Sequence, residues 1–330
     1  MKGRSFLSLT EYTKEEILTF LDLAAELKRK KRGEEVSEAL TGKLLDGKSI
    51  VLLFDKSSTR TRCSFEVAAY DEGANVTFLT NSQMGIKESV EDTAKVLGRL
   101  YDGIEYRGFA QSIIEELAEH SGVPVYNGLT DDDHPTQVLA DVLTAVEHSG
   151  KAADELIITY VGDGRNNVSN ALLIGAAQLG YEYRVATPKE LFPSDAMLEF
   201  AHSRRAQFWV TADPYEAVQG TDVIYTDVWF SMGEEEQAEE RIALLRDYQV
   251  TEELLAASGN PQVLFEHCLP AFHDLKTEMM SELGPKFGLT ALEVSDAVFR
   301  GPHSVVFDQA ENRMHTIKAI LVATLTGITG

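Results

Sequence analysis

The chain has 330 residues, of which 44% are hydrophobic and 25% are charged, the composition of an ordinary globular protein. This length predicts two domains, because a single core rarely extends over so many residues. The formal net charge of -23 at pH 7 argues against nucleic acid or an anionic membrane surface as a partner. A chain this negative must concentrate positive charge locally in order to bind an anion, so clustered arginines are informative.

The cysteine content and the start of the chain bear on location. The two cysteines, Cys63 and Cys268, lie far apart and form no disulfide framework, which is typical of a reducing compartment. The first residues lack the apolar core of a secretory leader, and no apolar run reaches the ~18 residues of a membrane helix. We therefore expect a cytoplasmic protein.

Short apolar runs alternate with helical patterns, which predicts an α/β protein with parallel sheets. The strands expected in the first sheet are residues 49–54, 75–79, 103–106 and 123–126. The helices expected among them are residues 64–70, 91–100, 111–120 and 136–147. A polar stretch follows His148, Ser149 and Gly150, and we place the domain boundary there.

The second set of strands begins with residues 156–161, an unbroken apolar and β-branched run that suits a strand buried on both faces. Its expected partners are residues 183–186, 208–211, 223–225 and 263–266. Pro214 is expected in the first turn of the short helix after residues 208–211. A final helix, residues 312–325, can pack on either domain. The predicted fold class is α/β, with two doubly wound parallel-sheet domains.

Residues 54–62 (FDKSSTRTR) are the most informative stretch, because they join a buried-type strand to a helix. Hydroxyl side chains at such a junction cap the free N–H groups of the first helical turn. Those N–H groups and the helix dipole also bind phosphate, and Arg60 and Arg62 add fork-shaped donors. A cap needs one hydroxyl, whereas residues 58–62 offer three hydroxyls and two arginines. This excess favours an anion site over a capped helix with surface arginines.

Two more places in the first domain suit polar ligands. Arg107 lies just past residues 103–106, at the edge of a parallel sheet where ligands bind. His134 and Gln137 lie where a helix is expected to begin at Pro135, and such side chains can hold a polarised carbonyl or an amide. A surface ion pair for Arg107 and an ordinary surface histidine stay open as alternatives.

The second domain offers three candidate stretches. Residues 161–167 (VGDGRNN) lack the third small residue of a dinucleotide site, so Asn166 and Asn167 are expected to contact a polar substrate group instead. Asp227 follows a strand and can receive a cationic group, with capping as the alternative. Residues 267–274 (HCLPAFHD) lack the four ligands of a structural zinc site. Neighbouring residues on a strand point to opposite faces, so a polar contact of the Cys268 thiol is favoured over a Cys–His nucleophile pair.

These motifs occur together, and in this order, in the aspartate/ornithine carbamoyltransferase family, which the chain resembles from about residue 6 to residue 326. The motifs are STRTR at 58–62, EYRG at 105–108, HPTQ at 134–137 and HCLP at 267–270. Asp227 with SMG at 231–233, and DQAENRMHT at 308–316, resemble the ornithine branch of the family. None of the central motifs is broken, which argues against a non-catalytic homologue.

The resemblance implies transfer of the carbamoyl group of carbamoyl phosphate to the side-chain amine of ornithine, giving citrulline and phosphate, without a cofactor or a metal. Residues 1–149 with the C-terminal helix 309–330 are expected to bind carbamoyl phosphate, and residues 150–308 to bind ornithine. The active site is expected in the cleft between the domains. A homotrimer, or a higher multiple, is also implied, in which the neighbouring subunit donates Gln83 from the loop 82–85.

The resemblance also assigns roles to single positions of this sequence. The residues expected to bind carbamoyl phosphate are Ser58, Thr59, Arg60, Thr61, Gln83, Arg107, His134, Gln137, Cys268, Leu269 and Arg313. The residues expected to bind ornithine are Asn167, Asp227, Ser231 and Met232. Those expected to take part in catalysis are Thr61, Arg107, His134 and Cys268.

Other functions stay open at this point. Putrescine is the nearest alternative acceptor, and aspartate suits the acidic acceptor loops poorly. A phosphate-binding protein without turnover and a nicotinamide-dependent dehydrogenase are the alternatives from other classes. Biosynthetic and catabolic directions of flux in arginine metabolism both stay open.

Overall fold

A computed structural model of the chain describes residues 1–80, 82–230 and 238–330. The chain folds into two compact units: residues 1–143 with 311–330 form the first domain, and residues 144–310 form the second. Within the described ranges, no helix combines the length and the apolar character that crossing a membrane requires.

The first domain is built on a parallel sheet with the strand order β2-β1-β3-β4. Its strands are β1 (Ser49–Phe54), β2 (Asn75–Thr80), β3 (Gly103–Arg107) and β4 (Val125–Leu129). Every residue of β1 after Ser49 is buried, as expected for an inner strand of a sheet that is covered on both faces.

Helices alternate with these strands. They are α1 (Lys14–Lys31), α2 (Thr59–Asp71), α3 (Val90–Leu100), α4 (Gln111–Ser121) and α5 (Pro135–Ser149). α1 begins with a capping box, in which the Thr13 hydroxyl accepts from the Glu16 N–H and the Glu16 carboxylate accepts from the Thr13 N–H. The first domain ends inside α5, after Leu143.

The second domain has a parallel sheet with the strand order β7-β6-β5-β8-β9. Its strands are β5 (Ile157–Val161), β6 (Glu182–Ala186), β7 (Phe208–Thr211), β8 (Val223–Thr226) and β9 (Leu264–His267). Its helices are α6 (Asn167–Leu179), α7 (Asp195–Ser203), α8 (Pro214–Ala217), α9 (Ala238–Leu245), α10 (Glu252–Ala257), α11 (Glu278–Phe287) and α12 (Asp296–Phe299). The last helix, α13 (Val306–Thr326), leaves the second domain after Ala310, and its remaining residues belong to the first domain.

The prediction of two α/β domains with parallel sheets is confirmed. All nine predicted strands are present, with ends that differ by at most three residues. Pro214 occupies the first turn of α8, as predicted. Two helices begin earlier than predicted: α2 at Thr59 instead of residue 64, and α13 at Val306 instead of residue 312. α1 was not predicted, although its capping box was visible in the sequence.

Each sheet has a point at which the strand order reverses. In the first domain this point lies between β1 and β3, and in the second it lies between β5 and β8. In doubly wound sheets, ligands bind outside the carboxyl ends of the strands at such a point. The loops that follow these four strands are therefore where a ligand site is expected in each domain.

Candidate active site

The loop between β1 and α2 is the candidate anion site of the first domain. Ser58 caps α2, since its hydroxyl accepts from the Thr61 N–H at 3.2 Å. The N–H of Asp55 donates to the carbonyl of Arg107 at 2.9 Å, so the end of β1 is tied to the end of β3. A capped helix N-terminus thus lies beside an arginine at the switch point, which is a favourable arrangement for phosphate.

Thr61 and two arginines form a buried polar group. The Thr61 hydroxyl is fully buried and accepts from Arg107 Nη1 at 3.2 Å and from Arg313 Nη2 at 3.0 Å. Arg313 also donates from Nη1 to Gln137 Oε1 at 3.0 Å and from Nη2 to Thr136 Oγ1 at 3.4 Å. One hydroxyl therefore orients two guanidinium groups, and residues far apart in sequence converge on one cationic site.

His134 lies next to this cationic group, just before α5. Burial lowers the pKa of His134 well below its ordinary value. The positive charges of Arg313, Arg107 and Arg60 lower this pKa further. The imidazole is therefore neutral at neutral pH, and its Nδ1 has no hydrogen-bond partner among the described residues. A neutral imidazole beside arginines can act as a hydrogen-bond donor to a developing oxyanion without adding another full charge.

Glu105 is a buried carboxyl that the sequence analysis gave no role. Its side chain is fully buried on β3, and neither carboxyl oxygen has a hydrogen-bond partner in the described part of the chain. Burial raises the pKa of Glu105 well above its ordinary range, and the charges of Arg107 and Arg313 only partly offset this. A Cβ atom at position 128 would lie 1.8 Å from Glu105 Oε1, so Gly128 is the residue that leaves room for this carboxyl.

The remaining sequence-predicted residues of the first domain are more exposed. Thr59 is exposed and Arg60 is half-buried in the first turn of α2, where both can reach a ligand. Gln83 is exposed in the loop after β2. Its carbonyl accepts from the N–H groups of Ile86, Lys87 and Glu88, which closes this loop on itself. No hydrogen bond within the described residues joins the Gln83 side chain to the cationic group.

In the second domain, the loop between β5 and α6 presents two asparagines. Asn166 caps α6, because its Oδ1 accepts from the Val168 N–H at 2.7 Å, and the half-buried Asn167 is the first helical residue. Asp163 is tied down by Arg241 Nη1 at 2.7 Å and by the Arg165 N–H at 2.9 Å. With Asn166 occupied by capping, Asn167 is the asparagine better placed to contact a substrate.

The ends of β8 and β9 bring Asp227 and Cys268 together. The Cys268 thiol donates to Asp227 Oδ1 at 3.0 Å, and that same oxygen accepts from the Val228 N–H at 2.8 Å. Leu269 has a positive φ of 58°, a strained conformation for a non-glycine residue that is common at functional sites. Its N–H donates to His267 Nδ1 at 2.9 Å, which helps to hold it there.

The argument against a Cys–His pair was incorrect in its geometry. β9 ends at His267, so Cys268 lies beyond the strand, and ligand atoms of Asp227, His267 and Cys268 lie within 4.8 Å of one another. His267 is nevertheless engaged at both nitrogens, with Nδ1 bound to the Leu269 N–H and Nε2 lying 3.3 Å from Glu293 Oε1. The contact of Cys268 with Asp227 agrees with the interpretation of this thiol as a polar contact.

Each half of the chain matches a domain of a known protein family. Residues 4–147 match the carbamoyl-P binding domain of aspartate/ornithine carbamoyltransferase, and residues 154–324 match its Asp/Orn binding domain. The chain belongs to the aspartate/ornithine carbamoyltransferase family. The resemblance expected from the motifs, and the prediction of a carbamoyltransferase, are thus confirmed.

Individual members of this family are similar over almost the whole chain. The catabolic ornithine carbamoyltransferases of Bacillus cereus and Clostridium perfringens are each 55% identical to it and cover 98% of it, and the chain covers 97% and 98% of them. The solved structure of ornithine carbamoyltransferase from Pyrococcus furiosus is 40% identical, covers 99% of this chain, is itself covered to 98%, and superposes with a TM-score of 0.87.

The structure brings together most residues that the family motifs single out. In the first domain these are Ser58, Thr61, Arg107, Gln137 and Arg313, with His134 beside them. In the second domain these are Asp227 and Cys268. Ser231 and Met232 lie outside the described residues. Thr136 and Glu105 were missed, although they lie within the motifs at 134–137 and 105–108 and Glu105 is a charged residue in a buried strand. Glu293, which contacts His267, was also missed, because it lies outside every motif.

Proposed function

We propose that this chain transfers the carbamoyl group of carbamoyl phosphate to the side-chain amine of L-ornithine, giving L-citrulline and phosphate. The observation that carries the proposal is the Thr61–Arg107–Arg313 cationic group beside the capped start of α2. It supplies an anion site at the switch point of the first domain. The Asp227–Cys268 pair supplies an acidic site at the switch point of the second.

Carbamoyl phosphate is assigned to the first domain. Ser58, Thr59, Arg60, Thr61 and Arg107 hold the phosphate, through the helix N-terminus, hydroxyl groups and guanidinium donors. The domain predicted from the sequence is residues 1–149 with 309–330, and the compact unit of the structure is residues 1–143 with 311–330. The close packing of Arg313 against Thr61 and Gln137 supports the inclusion of the C-terminal helix.

The carbamoyl group itself is assigned to the residues around His134. His134, with Arg107 and Thr61, polarises the carbonyl oxygen. Gln137 binds the carbamoyl amine through Oε1, because its Nε2 already donates to Asp141 Oδ1 at 2.7 Å. Arg313 holds this amide in place from the other side.

Ornithine is assigned to the second domain, which was predicted as residues 150–308 and is residues 144–310 in the structure. Asn167 and Asp227 bind its α-amino acid head, together with Ser231 and Met232. Cys268 and Leu269 line the end that receives the carbamoyl group and the amine. The buried carboxylate of Asp227 favours a cationic acceptor, and the negative field of the whole chain acts in the same direction.

The reaction needs neither a cofactor nor a covalent enzyme intermediate. The amine nitrogen bonds to the carbonyl carbon, the bond from that carbon to the phosphate oxygen breaks, the amine loses a proton, and phosphate leaves. The protein orients two substrates and stabilises the charge that develops on the carbonyl oxygen, and each of these effects contributes several kcal/mol. The reaction requires the bound amine to reach the bound carbonyl.

The amine must be neutral before it attacks. A free amine of this kind has a pKa near ~10.4, so it is protonated at neutral pH. We expect desolvation beside the cationic phosphate site to lower that pKa on binding. The pH profile of kcat should therefore rise through an ionisation of the bound amine at a pKa below that of the free amine, and a flat profile would contradict this step.

The assembly and location are further parts of the proposal. A homotrimer, or a multiple of it, would let Gln83 complete the phosphate site of a neighbouring subunit, and the exposure of Gln83 supports this. A cytoplasmic location is supported by the free thiols of Cys63 and Cys268. The curated relatives named above are catabolic enzymes, which supports a role in arginine catabolism, with biosynthesis as the alternative direction.

The decisive test is carbamoyl transfer by the purified chain with ornithine, putrescine or aspartate as the acceptor. Citrulline and phosphate should appear with ornithine only. Turnover with putrescine instead would overturn the assignment of the acceptor, and silence with every amine would favour a binding protein. The matched variants are Arg107→Gln, which should lower kcat/KM at least about 100-fold, and Arg99→Gln, an exposed arginine of the same domain that should have no effect.

A further inference from the structure

A pocket of lysines lies on the first domain, outside the proposed active site. It has a volume of about 380 Å³ and is formed by the end of α1, the loop at Gly42, the end of α2 and the middle of α13. We call it the lysine pocket, and its charged lining residues are Lys30, Lys31, Lys43, Lys318, Asp71 and Glu72. Its volume falls within the range of small-molecule sites.

The two carboxylates of the lysine pocket are already engaged. Glu72 is buried and accepts from Lys30 Nζ at 2.6 Å. Asp71 accepts from two ammonium groups through the same oxygen, Oδ2, with Lys31 Nζ at 2.5 Å and Lys318 Nζ at 2.7 Å. One carboxylate therefore faces two positive charges.

Lys43 adds a further positive charge. Its Nζ donates to the backbone carbonyl of Asp71 at 2.6 Å, and among the described residues it forms no ion pair with a carboxylate. The side chain of Lys43 is exposed, and that of Lys31 is partly exposed, so both can reach a ligand from solvent. Four ammonium groups and two carboxylates leave a surplus of two positive charges.

Helix dipoles account for only part of this surplus, since Lys43 donates to a carbonyl at the C-terminal end of α2 but Lys318 has no such position. Lysines in the last turn of α1 are favourable there, which explains Lys30 and Lys31. Lys43 lies in a loop, and Lys318 lies in the interior of α13, where its side chain is 99% buried. Burying an ammonium group is unfavourable unless a negative charge balances it. The chain as a whole has more carboxylates than cationic side chains, yet in the lysine pocket the ammonium groups outnumber the carboxylates.

We propose that the lysine pocket is a second anion site, which binds a small phosphate-bearing molecule with at least two negative charges. Lysine binds phosphate as a point charge through rotatable ammonium donors, and the flexible Lys31 and Lys43 can close on such a ligand. Asp71 ends α2, whose other end carries the proposed carbamoyl phosphate site, so the two anion sites lie at opposite ends of one helix.

The test is binding of inorganic diphosphate to the full chain by equilibrium dialysis at low ionic strength. The wild type should bind one equivalent more than the double variant Lys31→Gln/Lys43→Gln, or bind that equivalent at least about 100-fold more tightly. The matched control is Lys48→Gln/Lys95→Gln, which removes two lysines from ion pairs elsewhere in the same domain and changes the net charge equally. The control should bind like the wild type.

A second measurement needs no variant. Diphosphate should slow the acetylation of Lys43, followed by mass spectrometry, and leave that of Lys95 unchanged. A sugar phosphate used in the same two experiments separates organic phosphate esters from inorganic anions as the natural ligand. Equal diphosphate binding by the wild type and the lysine-pocket variant, or unprotected acetylation of Lys43, would refute the proposal.

Discussion

Replacement of Asp133 by asparagine tests how the buried charges near the active site affect stability. Asp133 is buried just before His134. Burial raises the pKa of Asp133 to about 7, and the neighbouring polar groups of Ser8 and His134 only partly offset this. In the unfolded chain the same carboxyl has a pKa near ~3.9. The difference is about three units, each of which corresponds to about 1.4 kcal/mol.

The sign of the effect follows from the direction of this shift. Between pH ~4 and pH ~7 the unfolded chain has lost the proton of Asp133 and the folded chain still holds it, so the free energy of unfolding falls as pH rises. Above pH ~7 the loss is complete and reaches about 4 kcal/mol. Asp133→Asn removes this dependence. Its stability relative to the wild type should therefore increase by about 3 kcal/mol between pH 5 and pH 8.

The assay is urea unfolding of both proteins at pH 5 and pH 8, with the comparison made between proteins at each pH. Any fixed effect of the amide on its neighbours cancels in the difference between the two pH values. Asp132→Asn is the matched control, because Asp132 is the adjacent and exposed carboxylate. The same relative stability of Asp133→Asn at pH 5 and pH 8 would refute the reasoning, whatever its absolute stability.

The remaining predictions concern catalysis. His134→Gln should lower kcat/KM about 100-fold, while the wild-type pH profile should show no ionisation near pH ~6.5 because the imidazole is already neutral; an ionisation there that the variant loses would contradict this. Asp227→Asn should raise KM for ornithine roughly 10- to 100-fold and hardly change KM for carbamoyl phosphate; equal changes in both would argue against its role. Cys268→Ser should keep kcat within about tenfold, because a serine hydroxyl can also donate to Asp227; complete loss of turnover would indicate a covalent role for the thiol.

The strands and the positions of the ligand loops could be predicted because their signals are local. β1 has the predicted bounds, since residues 49–54 form an uninterrupted apolar run after Ser49. The predicted start of β4 was too early, because Pro124 cannot donate to the sheet and the strand begins after it. α2 was predicted to begin near the first apolar residues, although its first turn is made of Thr59, Arg60 and Thr61 and is held by the Ser58 cap. Residues of modest helix propensity can thus begin a helix when a cap satisfies their N–H groups.

The proposed carbamoyl phosphate site could be predicted only in part from local sequence. The hydroxyls and arginines of residues 58–62 are adjacent in sequence, so their shared chemistry is visible in the sequence itself. The orientation of Arg313 by Thr61, across 252 positions, follows only from the fold. The family resemblance indicated that Arg313 takes part in the site, and the structure shows which groups it contacts.

Buried charge is the property that the sequence conceals most completely. Glu105 stands in the run GIEYR of β3, where a charged residue usually indicates an exposed face of the strand. The structure buries it instead, because Gly128 on the neighbouring strand leaves space for its carboxyl and two arginines provide positive charge nearby. Lys318 is a second case, since an interior position of α13 gives no sign that its ammonium group shares Asp71 with Lys31. In both cases the energy of the charge depends on partners brought close by the whole fold, so stability and anion binding at these places can be argued only from the structure.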